Sequence, residues 1–291
     1  MTGPVTRNWD VLCLGLPVME FVETTPGFYR RMPGGDAARV AVTVARSGGV
    51  AAVAGRLGPD GFGVAFREMC RAEGVDETAV LVDQAAPTAH GFRHLSEQGG
   101  VIWPAESGAA AALMRPGDIT PEIIGASRLL HISATGCAIS PGFAALAREA
   151  SFEAGDRGTR VSIDLRLPAA AREAGSGRVL AHLAEADVVT TDLPTARALL
   201  GATGPEDLVQ MLAACGPRVV VLWMGAEGVW LAGPDGRKFI APFRPGLAGD
   251  ADVFIGYFLS GLTAGDDLAE AAIRASAAAA HADTHEAARS A

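Results

Sequence analysis

Two carboxylates, Asp250 and Asp252, sit in a glycine-bearing turn, Gly249-Asp250-Ala251-Asp252, that runs directly into an apolar segment with helical patterning, Val253 to Leu262. The first turn of a helix carries free backbone N–H groups and the positive end of the helix dipole, so such a turn is a natural anion site. A carboxylate placed there can take a proton from a substrate hydroxyl while the amides hold developing negative charge. The simpler role for either Asp is to cap the helix, which Asp does very commonly. Taken alone, this stretch favours capping, and the remaining chain has to decide.

Other reactive side chains give no competing constellation. His131 lies in an apolar strand-like run, where a hydrogen-bonded core histidine is expected. His281 and His285 stand at i, i+4 with Asp283 and Glu286 beside them, but no third ligand is indicated, and a solvated terminal helix accounts for them. Cys137 and Ser140 have no base nearby in sequence. Cys13, Cys70, Cys137 and Cys215 are dispersed and form no C-x-x-C pair, which predicts free thiols in a reducing compartment. No G-x-S-x-G is present, and no G-x-G-x-x-G follows the first strand, so acyl hydrolase and dehydrogenase readings have no support.

A chain of 291 residues, 49% hydrophobic and 20% charged, is long enough for a sizeable core, and its 36 glycines imply many turns. A formal charge of −9 without a basic run argues against nucleic-acid and anionic-membrane partners. Met1 to Asp10 lacks a signal-peptide pattern, and no apolar run reaches membrane-spanning length; the expectation is a cytoplasmic protein.

These residues need a scaffold. Asp10 to Gly15 reads as a short buried strand, residues 16–32 as an excursion from the core, and Ala37 to Ser47 as a small-residue helix opened by Gly34-Gly35-Asp36. A strand at Val50 to Ala54, a helix at Phe66 to Glu73 and a strand at Val80 to Val82 follow, then a hairpin over 88–105 with Gly99-Gly100 in its turn. Beyond residue 118, strands at 128–133, 160–164, 187–190 and 218–223 alternate with helices at 121–125, 141–154, 178–185, 194–201 and 205–215. An antiparallel pair around Trp230 and Lys238 to Ile240 and two closing helices, 253–264 and 267–286, complete the chain. Alternating strands and helices predict an α/β fold with a parallel sheet covered on both faces.

Several segments, in order, resemble the ribokinase-like, PfkB-type carbohydrate kinases. Gly34-Gly35-Asp36-Ala37-Ala38-Arg39 is similar to the family's N-terminal two-glycine signature, and Gly58-Pro59-Asp60-Gly61-Phe62-Gly63 to its G-x-D-x-F-G turn. Ala86-Pro87-Thr88 resembles its A-P-T, and 246–262 its C-terminal D-T-x-G-A-G-D signature. The resemblance runs from about residue 11 to about residue 284. It implies a ribokinase-like three-layer αβα domain over 1–291, with a central mostly parallel sheet and a small β lid from about 16–33 and 88–106.

The resemblance also implies transfer of the γ-phosphoryl group of ATP, with Mg²⁺, to a sugar hydroxyl. Aligning on Phe254, Gly256, Phe258 and Gly261 puts Asp252 at the catalytic base and Gly249, Asp250 and Ala251 on the anion-hole loop. Aligning on Gly249-Asp250 makes Asp250 the base but requires a two-residue slip, so Asp252 is taken. On the substrate side the family positions fall at Glu20, Gly35, Asp36 and Arg39, the last in place of an Asn. For Asp36, helix capping is the competing role. Arg39, Arg93 and Arg166 are expected to favour an acidic or phosphorylated substrate, with a surface role the equal alternative for Arg93. On the nucleotide side the counterparts are Asp192, Trp223, Gly225 and Gly228. Asp192 is the candidate to hold a cation through water, Thr195 stands where the family has Glu, and Trp223 either stacks on a base or fills the nucleotide space. Two function classes follow: an active sugar kinase, and a kinase-fold protein that binds a small ligand and phosphorylates slowly or not at all. A homodimer through the lid is implied as well.

Overall fold

The computed structural model describes residues 7–93, 101–102, 108–201 and 204–289. In β1 (Trp9–Leu14), Val11, Leu12, Cys13 and Leu14 are each fully buried. A strand without polar alternation needs cover on both faces, as in a parallel α/β sheet. Two long strands follow, β2 (Val18–Thr25) and β3 (Phe28–Gly34), before α1 (Asp36–Arg46), β4 (Ala51–Leu57), α2 (Gly61–Ala72) and β5 (Val80–Val82). Next come β6 (Ala89–Arg93), β7 (Val101–Ile102), α3 (Pro121–Gly125), β8 (Ser127–Ser133), α4 (Ala134–Ile139), α5 (Pro141–Asp156) and β9 (Arg160–Asp164). The remaining elements are α6 (Ala169–Leu180), β10 (Val188–Asp192), α7 (Leu193–Leu200), α8 (Pro205–Ala214), β11 (Val219–Trp223), β12 (Val229–Gly233), β13 (Gly236–Ile240), α9 (Ala251–Ala264) and α10 (Leu268–Arg289).

The main sheet has nine strands in the order β13-β12-β11-β10-β9-β8-β1-β4-β5. From β11 to β5 every pairing is parallel, and β12 and β13 add an antiparallel edge. Side chains alternate across the sheet. Leu12, Leu14, Leu130 and Ile132 meet Phe143 and Leu146 of α5 and Leu208 and Leu212 of α8. Val11, Cys13, Val53 and Leu129 meet Val40 of α1, Phe254 and Phe258 of α9 and Ala275 of α10. The result is a three-layer αβα, ribokinase-like fold. Close approach of α9 to α1 depends on Gly256, where an added Cβ would stand 2.5 Å from Cβ of Thr43.

The excursion expected over 16–32 is a second, four-stranded sheet in the order β3-β2-β6-β7. Here β2 is antiparallel to β3 and parallel to β6, and β6 is antiparallel to β7. The turn expected at Gly99-Gly100 lies outside the described residues. Two sequence signatures tie this sheet to the core. Asp60 caps α2 by accepting from Phe62 and Gly63 N–H through Oδ1, and its Oδ2 accepts from Thr88 N–H at 2.8 Å. Thr88 Oγ1 accepts from Gly58 N–H at 3.0 Å. The G-x-D-x-F-G and A-P-T segments thus hold one another and fix the start of β6.

Two helices differ from the sequence reading. The helix expected at 178–185 begins nine residues earlier, at Ala169, because Pro168 precedes its first turn and Gly175 and Gly177 inside it do not interrupt it. The short α4 was not expected from its small residues; its Gly136 lies where an added Cβ would stand 2.6 Å from the Phe143 ring. Packing outweighs helix propensity there. The four cysteines are free, Cys215 alone being exposed. No helix among the described residues is long and apolar enough to cross a membrane.

Candidate active site

The sheet order reverses at β1, whose neighbours are β8 on one side and β4 on the other. In open α/β sheets, ligands bind outside the carboxyl ends of strands at such a switch point. Expected and unexpected residues alike stand on this edge of the sheet. Gly15 follows β1, Ser133 ends β8, Asp164 ends β9, Asp192 ends β10 and Trp223 ends β11.

Asp250 and Asp252 take different roles. Asp250 is the N-cap of α9: its Oδ1 accepts from Asp252 N–H at 2.8 Å and Val253 N–H at 3.1 Å. Two of the amides that would make an anion site therefore already hold a carboxylate of the chain itself. Gly249 precedes it with φ +75°, and a Cβ there would fall 2.9 Å from the Ala279 backbone, so glycine is required on both counts. Asp252, in the first turn of α9, is only 6% exposed. Its Oδ1 accepts from Arg166 Nη2 at 2.5 Å, and its Oδ2 accepts a close hydrogen bond from Arg39 Nε.

Each arginine is tied to a second carboxylate. Arg166 donates through Nε and Nη2 to Asp164, at 3.0 and 2.6 Å, in a fork that suits a buried carboxylate. Arg39 Nη1 donates to Glu20 Oε1 at 2.5 Å, and Arg93 Nη2 donates to Glu20 Oε2 at 3.0 Å. Glu20, on β2, also accepts from Gly35 N–H at 3.2 Å. An alternating chain of charge, Arg93–Glu20–Arg39–Asp252–Arg166–Asp164, so runs from the small sheet across α1 and α9 to β9. Gly34 makes room for it, since a Cβ would stand 2.8 Å from the Glu20 carboxyl.

The electrostatics follow from this chain. Burial alone would raise the Asp252 carboxyl, but the guanidinium groups of Arg39 and Arg166 outweigh it and hold Asp252 well below the usual carboxylate range. Burial pushes Asp164 up to about 6 against the opposing pull of Arg166. Burial lowers His131 to about 3, with Arg166 adding to the effect and Asp252 opposing it. His131 is the core histidine expected: Nδ1 lies 3.1 Å from Ser162 Oγ, while Nε2 is buried without a partner.

A cavity of about 330 Å³ opens beside Asp252, between the small sheet, the length of α1, the end of α2 and the first turn of α9. Glu20, Arg39, Arg93, Asp250 and Asp252 line it. Gly35, Asp36 and Arg166 do not. Gly35 has φ +103° and sits against Leu16 O, where a Cβ would stand at 2.4 Å. Asp36 does not cap α1; its Oδ2 accepts from Ser133 Oγ at 2.5 Å, and its Oδ1 accepts from the adjacent Ala37 N–H at 2.8 Å. Arg166 is held behind Asp252, its side chain 15% exposed. Sequence reasoning gave Arg93 no preference over a surface role and did not include Ser133 or Asp164. The Asp164-Leu165-Arg166 spacing at a strand end was the one local signal for the latter.

On the nucleotide side, Asp192 caps α7 by accepting from Thr195 N–H at 2.7 Å. Thr195 is fully buried, and its Oγ1 accepts from Leu167 N–H at 3.2 Å. Trp223 lies opposite Asp192 in the β10–β11 register and packs on Phe254, ring centres 6.3 Å apart. Gly225 and Gly228 both have positive φ, and a Cβ on Gly228 would meet Ile240 O at 2.5 Å. Among the described residues, no group of three His, Cys, Asp or Glu stands close enough to hold a metal ion. The side chains of Asp283, His285 and Glu286 fall outside the described residues, and His281 packs against Phe243.

Comparison with known proteins identifies a family and a fold. The pfkB family carbohydrate kinase profile matches residues 10–291. The 2-dehydro-3-deoxygluconokinase of Thermoproteus tenax is 29% identical over 89% of this chain and 85% of its own length. Fructokinase-1 of Oryza sativa subsp. japonica is 27% identical, over 87% and 83% respectively. The crystal structure of a PfkB protein from Polaromonas sp. JS666 superposes with a TM-score of 0.86 at 28% identity, covering 94% of this chain and 96% of that one. With the family profile matching nearly the whole chain, this chain belongs to the pfkB family of carbohydrate kinases, a family of sugar phosphotransferases.

Proposed function

We propose that this protein transfers the γ-phosphoryl group of ATP to a hydroxyl of a sugar or sugar-like acceptor, with Asp252 as the base. The observation that carries the reading is the placement of Asp252: a buried carboxylate in the first turn of α9, at the switch point, facing a cavity of sugar size under the small sheet. ATP, with Mg²⁺, supplies the transferred group. Asp252 takes the acceptor proton as the acceptor oxygen bonds to phosphorus, and the bond from that phosphorus to the departing ADP oxygen breaks. Glu20 and Arg39 orient the acceptor. Gly225, Gly228 and Trp223 border the nucleotide, and Gly249 and Ala251 shape the loop beside the transferred group. Mg²⁺ keeps several waters and needs few protein carboxylates, so the absence of an acidic cluster among the described residues is compatible with it; Asp192 is the residue that would hold it through water.

The small sheet serves as the lid, and its exposed Phe28 and Phe92 support a homodimer formed through it. The cytoplasm, where ATP is abundant, is the proposed location.

A second reading has its own observation. Asp250 occupies two amides of the anion site, and two guanidinium groups weaken Asp252 as a base. Both favour a kinase-fold protein that binds a small ligand and phosphorylates slowly. ATP turnover against a panel of sugars, sugar acids and nucleosides separates the readings. In the first, Asp252→Asn lowers kcat by about 10²-fold or more. Turnover that survives Asp252→Asn unchanged refutes the base assignment, and no turnover on any acceptor leaves the second reading.

A further inference from the structure

Hydrogen-bonding capacity in the cavity is unequal. Both oxygens of Asp252 accept from arginines, Glu20 accepts through both of its oxygens, and Asp250 Oδ1 accepts from two amides. Apart from Asp250 Oδ2, these acceptors are committed to the chain itself. The donors are in surplus. A guanidinium carries five N–H donors, yet Arg39 directs only Nε and Nη1 to carboxylates, and its side chain remains 33% exposed on the cavity. Arg93 gives one bond to Glu20, and its buried Nε has no partner. Arg31, also on the small sheet, lines the same cavity. Four arginines, Arg31, Arg39, Arg46 and Arg93, therefore line the space; Arg46 is paired with Glu73 of the same lining, which leaves the other three with donors to spare, within a protein of net charge −9.

The geometry points to Arg39 as the receptor for an anionic oxygen substituent, carboxylate or phosphate, on the acceptor sugar, and to capture of that anion as the event that draws the guanidinium away from Asp252. The inference rests on the kinase reading for its second half only. Arg39 binds Asp252 through a single nitrogen, and an incoming anion offers a two-oxygen face that a planar guanidinium prefers. A neutral sugar offers no such exchange, leaves Asp252 paired with two arginines, and so meets a weaker base. Arg39 thus selects the acceptor by charge and couples that choice to release of the base.

The test is calorimetric binding without nucleotide, then ATP turnover, for three matched acceptors: gluconate, glucose 6-phosphate and neutral glucitol. Wild type should bind gluconate, glucose 6-phosphate or both at least 10-fold more tightly than glucitol, and which of the two anions binds identifies the charged group. Arg39→Asn should bring the affinities for the anions and for glucitol to within a few-fold of one another, and Arg39→Lys should restore part of the preference. Because Arg39→Asn leaves two carboxylates short of a partner, Arg39→Asn/Asp252→Asn provides a charge-balanced variant for the binding arm. Equal binding of all three acceptors by wild type, or an anion preference that persists in both Asn variants, overturns the proposal. Turnover of glucitol at the anions' rate overturns the proposal while the kinase reading stands. Anion binding that depends on Arg39 without turnover of any acceptor upholds the receptor and refutes the kinase reading.

Discussion

Replacing Asp250 by Ala, the residue that the resembling kinases carry before the Gly-Asp pair, tests whether the chain's own carboxylate limits phosphoryl transfer. Asp250 Oδ1 holds the N–H groups of Asp252 and Val253 at 2.8 and 3.1 Å. Loss of an Asp N-cap costs about 1 kcal/mol. In a chain of this size that lowers Tm by about 2–4 °C. The gain lies in the transition state. Donors aimed at developing charge are worth about 2.7–4 kcal/mol each, a factor of roughly 10²–10³ in kcat. Substrate phosphate and water will recover only part of this, so an increase of about 10-fold or more is expected from Asp250→Ala. Asp250→Ser separates the two effects, since it keeps a capping acceptor and removes the charge. Its Tm should stay near wild type, with an intermediate kcat. Coupled ATP turnover and thermal melts read both quantities. A lower Tm with kcat unchanged or reduced in Asp250→Ala would refute the reasoning, because Asp250 would then be only a cap or a needed ligand.

Arg166→Met leaves Asp164, 2% exposed, and Asp252 without a shared partner. Breaking a buried pair from one side costs about 3–5 kcal/mol, so Tm should fall by on the order of 10 °C, and Arg166→Met/Asp164→Leu should regain part of the loss; a Tm within 1 °C of wild type contradicts the network. His131 stays neutral when folded, with its value lowered from 6.5 to about 3, so its contribution to stability is complete above pH 6.5 and is lost as pH falls toward 3. That amounts to up to about 4 kcal/mol across the window. Asp164, raised from 3.8 to about 6, works in the opposite direction between those values, since its folded form holds the proton more tightly. His131→Gln should therefore flatten the acid-side decline in Tm between pH 6.5 and pH 4, and an unchanged profile would show that His131 does not carry it.

Much of the fold was legible because it depends on local patterns. Apolar runs such as Val11 to Leu14 required a sheet covered on both faces, and Asp60 and Thr88, read only as fragments of two signatures, turned out to bond to each other. Glycines 34, 249 and 256 were visible as types, but not the neighbours that demand them. What the linear pattern missed was small or masked by conflicting signals. Short α4 lacks helical amphipathicity, and α6 continues through two glycines.

The site divides along the same line. Residue types and spacing alone brought Asp250 and Asp252 together at the start of a helix, and the order of the surrounding signatures marked that turn as the place for chemistry. Which Asp would cap and which would pair with the buried arginines needed the tertiary structure. At 3.6 residues per turn, side chains two positions apart leave a helix on opposite sides, so only the direction in which α9 packs assigns the roles. Arg39 and Asp252 are 213 positions apart and Arg166 and Asp252 are 86 apart. No local pattern encodes such pairs; they exist because parallel strands deliver their carboxyl ends, and the helices that follow, to one edge of the sheet.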